Sequence, residues 1–388
     1  MAGVVPDAPG LLGLPVEMGM EILSFALLNS SNDILNLAMS CKAIYNILNH
    51  HKTSILLAFL SQMDPSELAI ATAHYHATIA PWRCTKDLDV PVPQDQNDYL
   101  CKITDFCEQF LSKQGTELRI PFQDFTLPMV AHIQDIHFTI RRIATKLVPR
   151  IIFAAQRWLA PSSVEMAKIS KSLYIIDLVR LLFLKSPVTL EQHMGSDFSQ
   201  HDHAFTKFWS YFSPWESEQV EIMTFEIMNR LPFLTVTRFD FVRIIMWKGM
   251  KGIDALFHEG ASEDDERLCR HISSDHRFKA IRDMASQALT FWFEGPGTHT
   301  VNIDPATVKR YDADIDDGSA RVWLCIYNCL DITGQIRRGN YPWGCEIVEG
   351  FPIFFDIDRL LAITQGRLPV LDDLLEWTGD SLVSIGPI

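Results

Sequence analysis

Residues 13–28, GLPVEMGMEILSFALL, are apolar around most of a helical circumference. With each residue advancing about 100° around the axis, Glu17, Glu21 and Ser24 fall in one narrow polar sector. Leu14, Val16, Met18, Met20, Ile22, Leu23, Phe25, Ala26 and Leu27 spread over nearly all the rest. A surface helix ordinarily shows one apolar stripe little more than about 100° wide. This one has surface to spare, so it lies deep in a large core, or packs one face on its own domain and the other on a partner. Its place at the start of the chain, where order is weakest unless something ties it down, favours the second arrangement.

The three- and four-residue spacing of apolar positions continues. It predicts a short helix over 33–40, capped by Asn32 or Asp33, after a turn at NSSN (29–32), and a longer helix over 41–60 carried by Ile44, Ile47, Leu48, Ile55 and Phe59. Asp64-Pro65 opens the next helix, with the carboxylate at the N-cap and the proline at the first helical position, where its missing N–H is harmless. Two prolines and several acids make 85–99 the expected loop of the first third. Clear helical patterns follow at 125–148, 162–184 and 216–234, and another through RFKAIRDMASQALTFWF after the acidic loop EGASEDDER. Gly295-Pro296-Gly297 breaks the helical pattern, and the residues around 312–328 suit a short strand or a helix start. The expected fold is mainly α: a small N-terminal three-helix module, then a larger, irregular all-helical region with minor β or irregular structure near the C-terminus.

Length and composition set bounds on this picture. A chain of 388 residues exceeds a usual domain, so one small unit plus one large one, or two to three units, are expected. With 34 Lys and Arg against 48 Asp and Glu, the net charge is −14, which repels nucleic-acid phosphates and anionic lipid. Eight scattered cysteines suit free thiols in a reducing compartment better than a disulfide framework. The start MAGVVPDAPG has no basic region or apolar run of signal length, and no stretch reaches the length of a membrane span. The expected location is cytoplasmic, nuclear or both.

The first three helices resemble the F-box. That family opens with Leu-Pro and a Glu two positions on, here Leu14, Pro15 and Glu17. An Ile-Leu pair follows, here Ile22 and Leu23, then Asp-aliphatic-x-x-Leu at Asp33, Ile34 and Leu37, and Cys-Lys with an aromatic beyond at Cys41, Lys42 and Tyr45. A unit of only about 50 residues buries too little surface to be secure alone and gains from docking on something else. The chain departs from the pattern at Gly19, a glycine inside a helix at a cost of up to about 1 kcal/mol, at Ser40, where Val is common, and in a longer turn between the first two helices. Further along, Ser162, Glu165, Leu173 and Tyr174 are similar to a Ser-x-x-Glu…Leu-Tyr segment of fungal F-box proteins, with Lys168 and Lys171 where arginines are common. Pro214, Trp215, Glu216, Glu218 and Gln219 resemble their Pro-Trp-Glu-x-Glu-Gln element. Phe354, Asp356, Arg359 and Leu360 resemble a Phe-Trp-Asp-x-x-Arg-Leu element, with Phe355 in place of the Trp.

The resemblance implies a disordered segment over 1–12, an F-box over 13–60 and a substrate-recognition region over 61–388. It implies docking on a Skp-type adaptor and through it a cullin, with an unknown protein substrate, and no catalysis, cofactor, metal, nucleic acid or membrane. Leu14, Pro15, Glu17, Ile22, Leu23, Ile34, Leu37, Cys41, Lys42 and Tyr45 are the residues expected at the adaptor contact, although Ile22, Leu37 and Tyr45 suit the module's own core equally well. The Pro-Trp-Glu element reads better as the start of a helix than as a binding site, with Glu216 and Glu218 set against the positive end of the helix dipole.

Other chemistry is poorly supported. Asp312, Asp314 and Asp316 are spaced like the first ligands of a calcium loop, but Asp317 stands where the turn needs Gly and Trp323 where a bidentate Glu belongs. Cys325 and Cys329, Cys101 and Cys107, and His201 and His203 have no second pair at zinc-site spacing. There is no phosphate-binding loop, dinucleotide fingerprint or nucleophile elbow. The alternatives to a ligase receptor are a scaffold or regulator that binds the adaptor outside the cullin complex, and a helical enzyme with an appended docking module.

Overall fold

A computed structural model describes residues 15–29, 31–80, 96–112, 124–152, 160–183, 204, 207–230, 249–258, 318–322, 354–363 and 365–367. Nine named helices are found among them: α1 (Val16–Asn29), α2 (Ser31–Ser40), α3 (Lys42–Leu60), α4 (Pro65–Ile79), α5 (Gln96–Phe110), α6 (Leu127–Ile151), α7 (Ser163–Phe183), α8 (Pro214–Arg230) and α9 (Ile357–Ile363). Further helical stretches cover 207–209, 249–258 and 318–322, and no strand occurs among the described residues. The fold is mainly α. Of the C-terminal region in which β structure was expected, the described residues are helices and turns, and the remainder lies outside them, as do residues 1–12 and the helix expected through RFKAIRDMASQALTFWF.

Local chemistry explains most of the boundaries. Asp64 caps α4 by accepting from Ser66 N at 2.8 Å, with Pro65 in the first turn. Thr126 accepts from Met129 N at 3.3 Å at the start of α6. Ser162 and Glu165 exchange bonds across the first turn of α7, with Ser162 N donating to Glu165 Oε2 at 3.0 Å and Glu165 N to Ser162 Oγ at 3.2 Å. Ser213 and Glu216 repeat this capping box at α8. The Pro-Trp-Glu element is therefore a helix start, with Trp215 buried behind it.

Two expectations need correction. The NSSN turn is largely taken up by its flanking helices, because α1 runs through Asn29 and α2 begins at Ser31, taking Asp33 into its first turn rather than at the cap. Of the loop expected over 85–99, residues 96–99 belong to α5 and the rest lies outside the described residues; Tyr99 anchors that helix by burying its ring and donating to Leu182 O at 2.7 Å. The helix expected over 41–60 is α3, and it is kinked at His51 (φ −116°, ψ 20°).

In the N-terminal module, α1 packs across α2 and α3, and the second half of α3 meets α6. Phe59 sets its ring edge against His137 and Phe138 of α6, and Gln134 of α6 donates to Leu27 O of α1. Beyond it, α7 is the central helix, with α4, α6 and α8 packed around it. That placement accounts for its burial on all sides: Ile169, Leu173, Tyr174, Ile175 and Leu178 are enclosed together with Ser170, Ser172 and Asp177. Ala71, Ala73 and Ala77 of α4 are fully buried, and their small side chains allow the close α4–α7 approach. One apolar core runs without a break from Leu23 of α1 to Leu360 of α9.

Gly19 now has a reason. A Cβ there would stand 2.6 Å from Cδ1 of Ile47, so α1 crosses α3 closely enough that any larger residue must displace the end of Ile47. Gly19→Leu should lower stability by about 1–3 kcal/mol through overpacking. Gly19→Ala should be far milder, since only the free end of Ile47 must move and the helix gains about 1 kcal/mol of propensity. Urea unfolding of the two variants checks the difference.

Candidate functional site

The α1 helix resolves its surplus of apolar surface by splitting it. Gly19, Leu23, Ala26 and Leu27 lie on the inward side, and all four are buried. Met18 and Phe25, seven residues apart on the opposite side, are 47% and 69% exposed, with half-buried Ile22 between them. The same division holds in α2, where Ile34 and Ala38 point inward while Leu35 and Met39, one turn apart, are 40% and 85% exposed. In α3, Ile44 and Leu48 are buried and Tyr45 is half exposed.

The residues expected at an adaptor contact divide in the same way. Pro15, Glu17, Lys42 and Tyr45 are exposed, and Ile22, Leu37 and Cys41 are partly covered, the last two packed against the core. Leu23 and Ile34 are wholly enclosed and offer a partner no surface; the inward turn of α1 and α2 makes them core of the module. Leu14 lies outside the described residues. Met18, Phe25, Leu35 and Met39 were not singled out from the sequence. Their signal was there, as i/i+7 and i/i+4 pairs offset from the inward positions, but which stripe faces inward is decided only by packing.

A second concentration of functional groups is buried between α4, α6 and α7. His74 Nε2 is 2.7 Å from Asp177 Oδ2, and His74 Nδ1 is 3.1 Å from His132 Nε2. Asp177 also accepts from Arg180 Nε at 2.6 Å, from Arg180 Nη2 at 3.2 Å and from Met250 N at 3.3 Å. Burial pushes the Asp177 carboxyl up, but the hydrogen bond from His74 and the charge of Arg180 outweigh it and hold the group well below the usual carboxylate range. Burial lowers His132 to about 4, and the nearby His74 adds to this. His137 is also held at about 4, by burial and then by Arg141. Glu67 is raised by burial although Arg141 pairs with it at 2.7 Å.

The centroids of the His74 and His132 rings are 5.3 Å apart, close to the upper limit set by the 3.1 Å nitrogen separation plus the two ring radii. The two nitrogens therefore face each other nearly head-on. Two imidazole ligands at about 2.0–2.1 Å from a metal placed in line between them would stand about 4 Å apart, so the 3.1 Å spacing fits a shared proton. Among the described residues, no group of three or more His, Cys, Asp or Glu is arranged to hold a metal ion. The aspartate triplet at 312–316, the Cys325–Cys329 pair and the His201–His203 pair lie outside the described residues. Cys101 is exposed, and Cys107 is buried, its thiol pushed up to about 12 by burial.

The three C-terminal motifs meet around α7. Lys171 pairs with Glu216 of α8 at 2.5 Å, and Lys168 donates to Phe355 O at 2.8 Å. Glu165 takes both arms of Arg359, at 2.6 and 2.8 Å, and accepts from Asp356 N at 3.2 Å. Gln219 reaches Ser319 Oγ at 2.9 Å. A Cβ on neighbouring Gly318 would collide with the backbone at Phe355 and Asp356, so only glycine lets these segments close. Residues that stood out singly in the sequence are thus joints between helices distant in the chain. Among the described residues, no helix is long and apolar enough to cross a membrane. No family model matches the chain, and no curated protein or solved structure does so either.

Proposed function

We propose that the chain is an F-box-type receptor, a non-catalytic subunit whose N-terminal three helices dock on a Skp-type adaptor and through it a cullin, while the helical region beyond residue 60 holds a protein substrate for ubiquitination. The observation that carries this reading is the outward apolar side chains of a small helical module, above all Phe25 and Met39, at 69% and 85% exposure. Large exposed apolar groups on one small unit mark a protein-interaction surface more often than chance. The Leu-Pro, Ile-Leu and Cys-Lys positions quoted above supply the family resemblance.

In this reading the protein acts by proximity. It would hold a target near a charged ubiquitin-conjugating enzyme and so raise its effective concentration. The joints around α7 would keep the adaptor-docking module and the substrate-holding region in fixed register, since one core connects them. Phe25→Asp with Met39→Asp should reduce co-purification of a Skp-type adaptor by at least about tenfold, the effect of losing one to two interface anchors, with thermal unfolding unchanged. Full retention of the adaptor by the double variant would reject this surface. Cullin in the same pull-down separates a ligase receptor from a scaffold that binds the adaptor alone.

A further inference from the structure

The described methionines divide sharply by exposure. Met63, Met129, Met223 and Met250 are enclosed in the core, and Met20 and Met166 are partly covered. Met18 and Met39 are exposed, and Met39, at 85%, is the most exposed of the large apolar side chains among the described residues. The backbone beneath Met39 is nonetheless fixed. Ile34 and Ala38 hold its part of α2 to the core. Ser40 Oγ donates back to Leu37 O at 2.7 Å. One residue further on, Cys41 is extended (φ −153°, ψ 127°) as α3 begins, and Tyr45 N donates to Cys41 O at 3.0 Å. An ordered helix end therefore presents the thioether to solvent, one turn after the outward Leu35. A thioether is unbranched and polarizable, which suits an adaptable apolar contact, but it is also open to oxidation.

We propose that Met39 is a redox-modification site that controls docking: in the free protein a peroxide oxidises its thioether to the sulfoxide, and the sulfoxide weakens the contact with the Skp-type adaptor. The proposal rests on the docking reading of the outward α1–α2 face given above. In the step, a sulfur lone pair attacks one peroxide oxygen, and the S–O bond forms as the O–O bond breaks. The departing oxygen takes the proton from the transferred one and leaves as water. Sulfur gives up two electrons and the peroxide accepts them. The product side chain is polar and chiral, and enzymatic reduction by thiols reverses it. Its oxygen is a hydrogen-bond acceptor that water satisfies while the face is free. Against an apolar partner it is left unsatisfied, which lowers affinity by about tenfold or more. The fold is unaffected, because Met39 projects away from the core and the enclosed methionines are shielded. An adaptor seated on this face covers the sulfur, so docking in turn protects Met39 from the oxidant.

The test treats the full chain with hydrogen peroxide, follows each methionine by peptide mass spectrometry, and measures binding of a purified Skp-type adaptor on the same samples. Met39 should be oxidised before Met63, Met129, Met223 and Met250. Adaptor affinity should fall by at least about tenfold as Met39 sulfoxide accumulates, with thermal unfolding unchanged, and return after treatment with methionine sulfoxide reductase and a thiol. Adaptor added before the peroxide should slow oxidation of Met39 and leave that of Met166 as it was. Met39→Leu, which has no sulfur to oxidise, is compared with itself, and its affinity should be the same before and after peroxide. Failure of the untreated chain to bind the adaptor would remove the docking reading and the switch with it. Given binding by the untreated chain, the switch alone is overturned by affinity that survives full oxidation of Met39, by Met39 reacting no sooner than the enclosed methionines, or by a peroxide loss that persists in Met39→Leu.

Discussion

Arg359→Met is expected to lower unfolding free energy by about 3–5 kcal/mol, the usual cost of leaving one partner of a buried ion pair alone. Glu165 is fully enclosed, and Arg359 is 6% exposed. The guanidinium supplies two of the carboxylate's donors and also reaches Ala160 O at 2.9 Å. Without it, Glu165 keeps only Ser162 N and Asp356 N as the donors seen here. Arg359→Lys should fall between, since an ammonium carries the charge but not the planar fork. Replacing both partners by Met should recover most of the loss, short of about 1 kcal/mol for the forfeited cap of α7. Unfolding free energies of wild type, Arg359→Met, Glu165→Met and the double Met variant form a double-mutant cycle. A coupling energy near zero would mean that the joint between α7 and α9 is not held by this pair.

The second large effect is expected at Asp177. Asp177→Ala removes the acceptor shared by His74, Arg180 and Met250 N and leaves Arg180, with 21% of its side chain exposed, without its main counter-charge. A loss of about 3–5 kcal/mol is expected, a large fraction of the roughly 5–15 kcal/mol that separates folded from unfolded for most domains. Because the folded-state carboxyl is held low, its contribution is complete above the unfolded pKa of about 3.9 and falls away as pH drops through the folded value. The wild-type advantage over Asp177→Ala should therefore be steady across neutral pH and shrink in strong acid. Urea midpoints measured at several pH values check both the size and the trend.

The helices themselves were readable from spacing and caps. Asp64-Pro65, Ser162…Glu165 and Ser213…Glu216 each mark a start with chemistry confined to four residues, and the structure places helices at all three. Boundaries failed where a distant partner intervened, as at Gln96, whose helix is anchored by Tyr99 on Leu182 O, eighty-three residues away. Gly19 looked like a fault in a helix until Ile47 was seen across from it. The candidate surface was legible only as a surplus. The sequence showed that α1 has more apolar area than one neighbour needs, but not that Leu23 turns inward and Phe25 outward.

The sequence by itself determined a mainly helical chain, its strongest helix starts, and an N-terminal unit with surface left over, because periodicity and capping act within one or two turns. Tertiary structure alone decided which stripe of that unit stays exposed. It also decided that Glu165 meets Arg359 and His74 meets Asp177, pairs 194 and 103 residues apart. Such pairings depend on how helices cross, and a buried charge reveals its partner only when the packing that excludes water has already brought the two together.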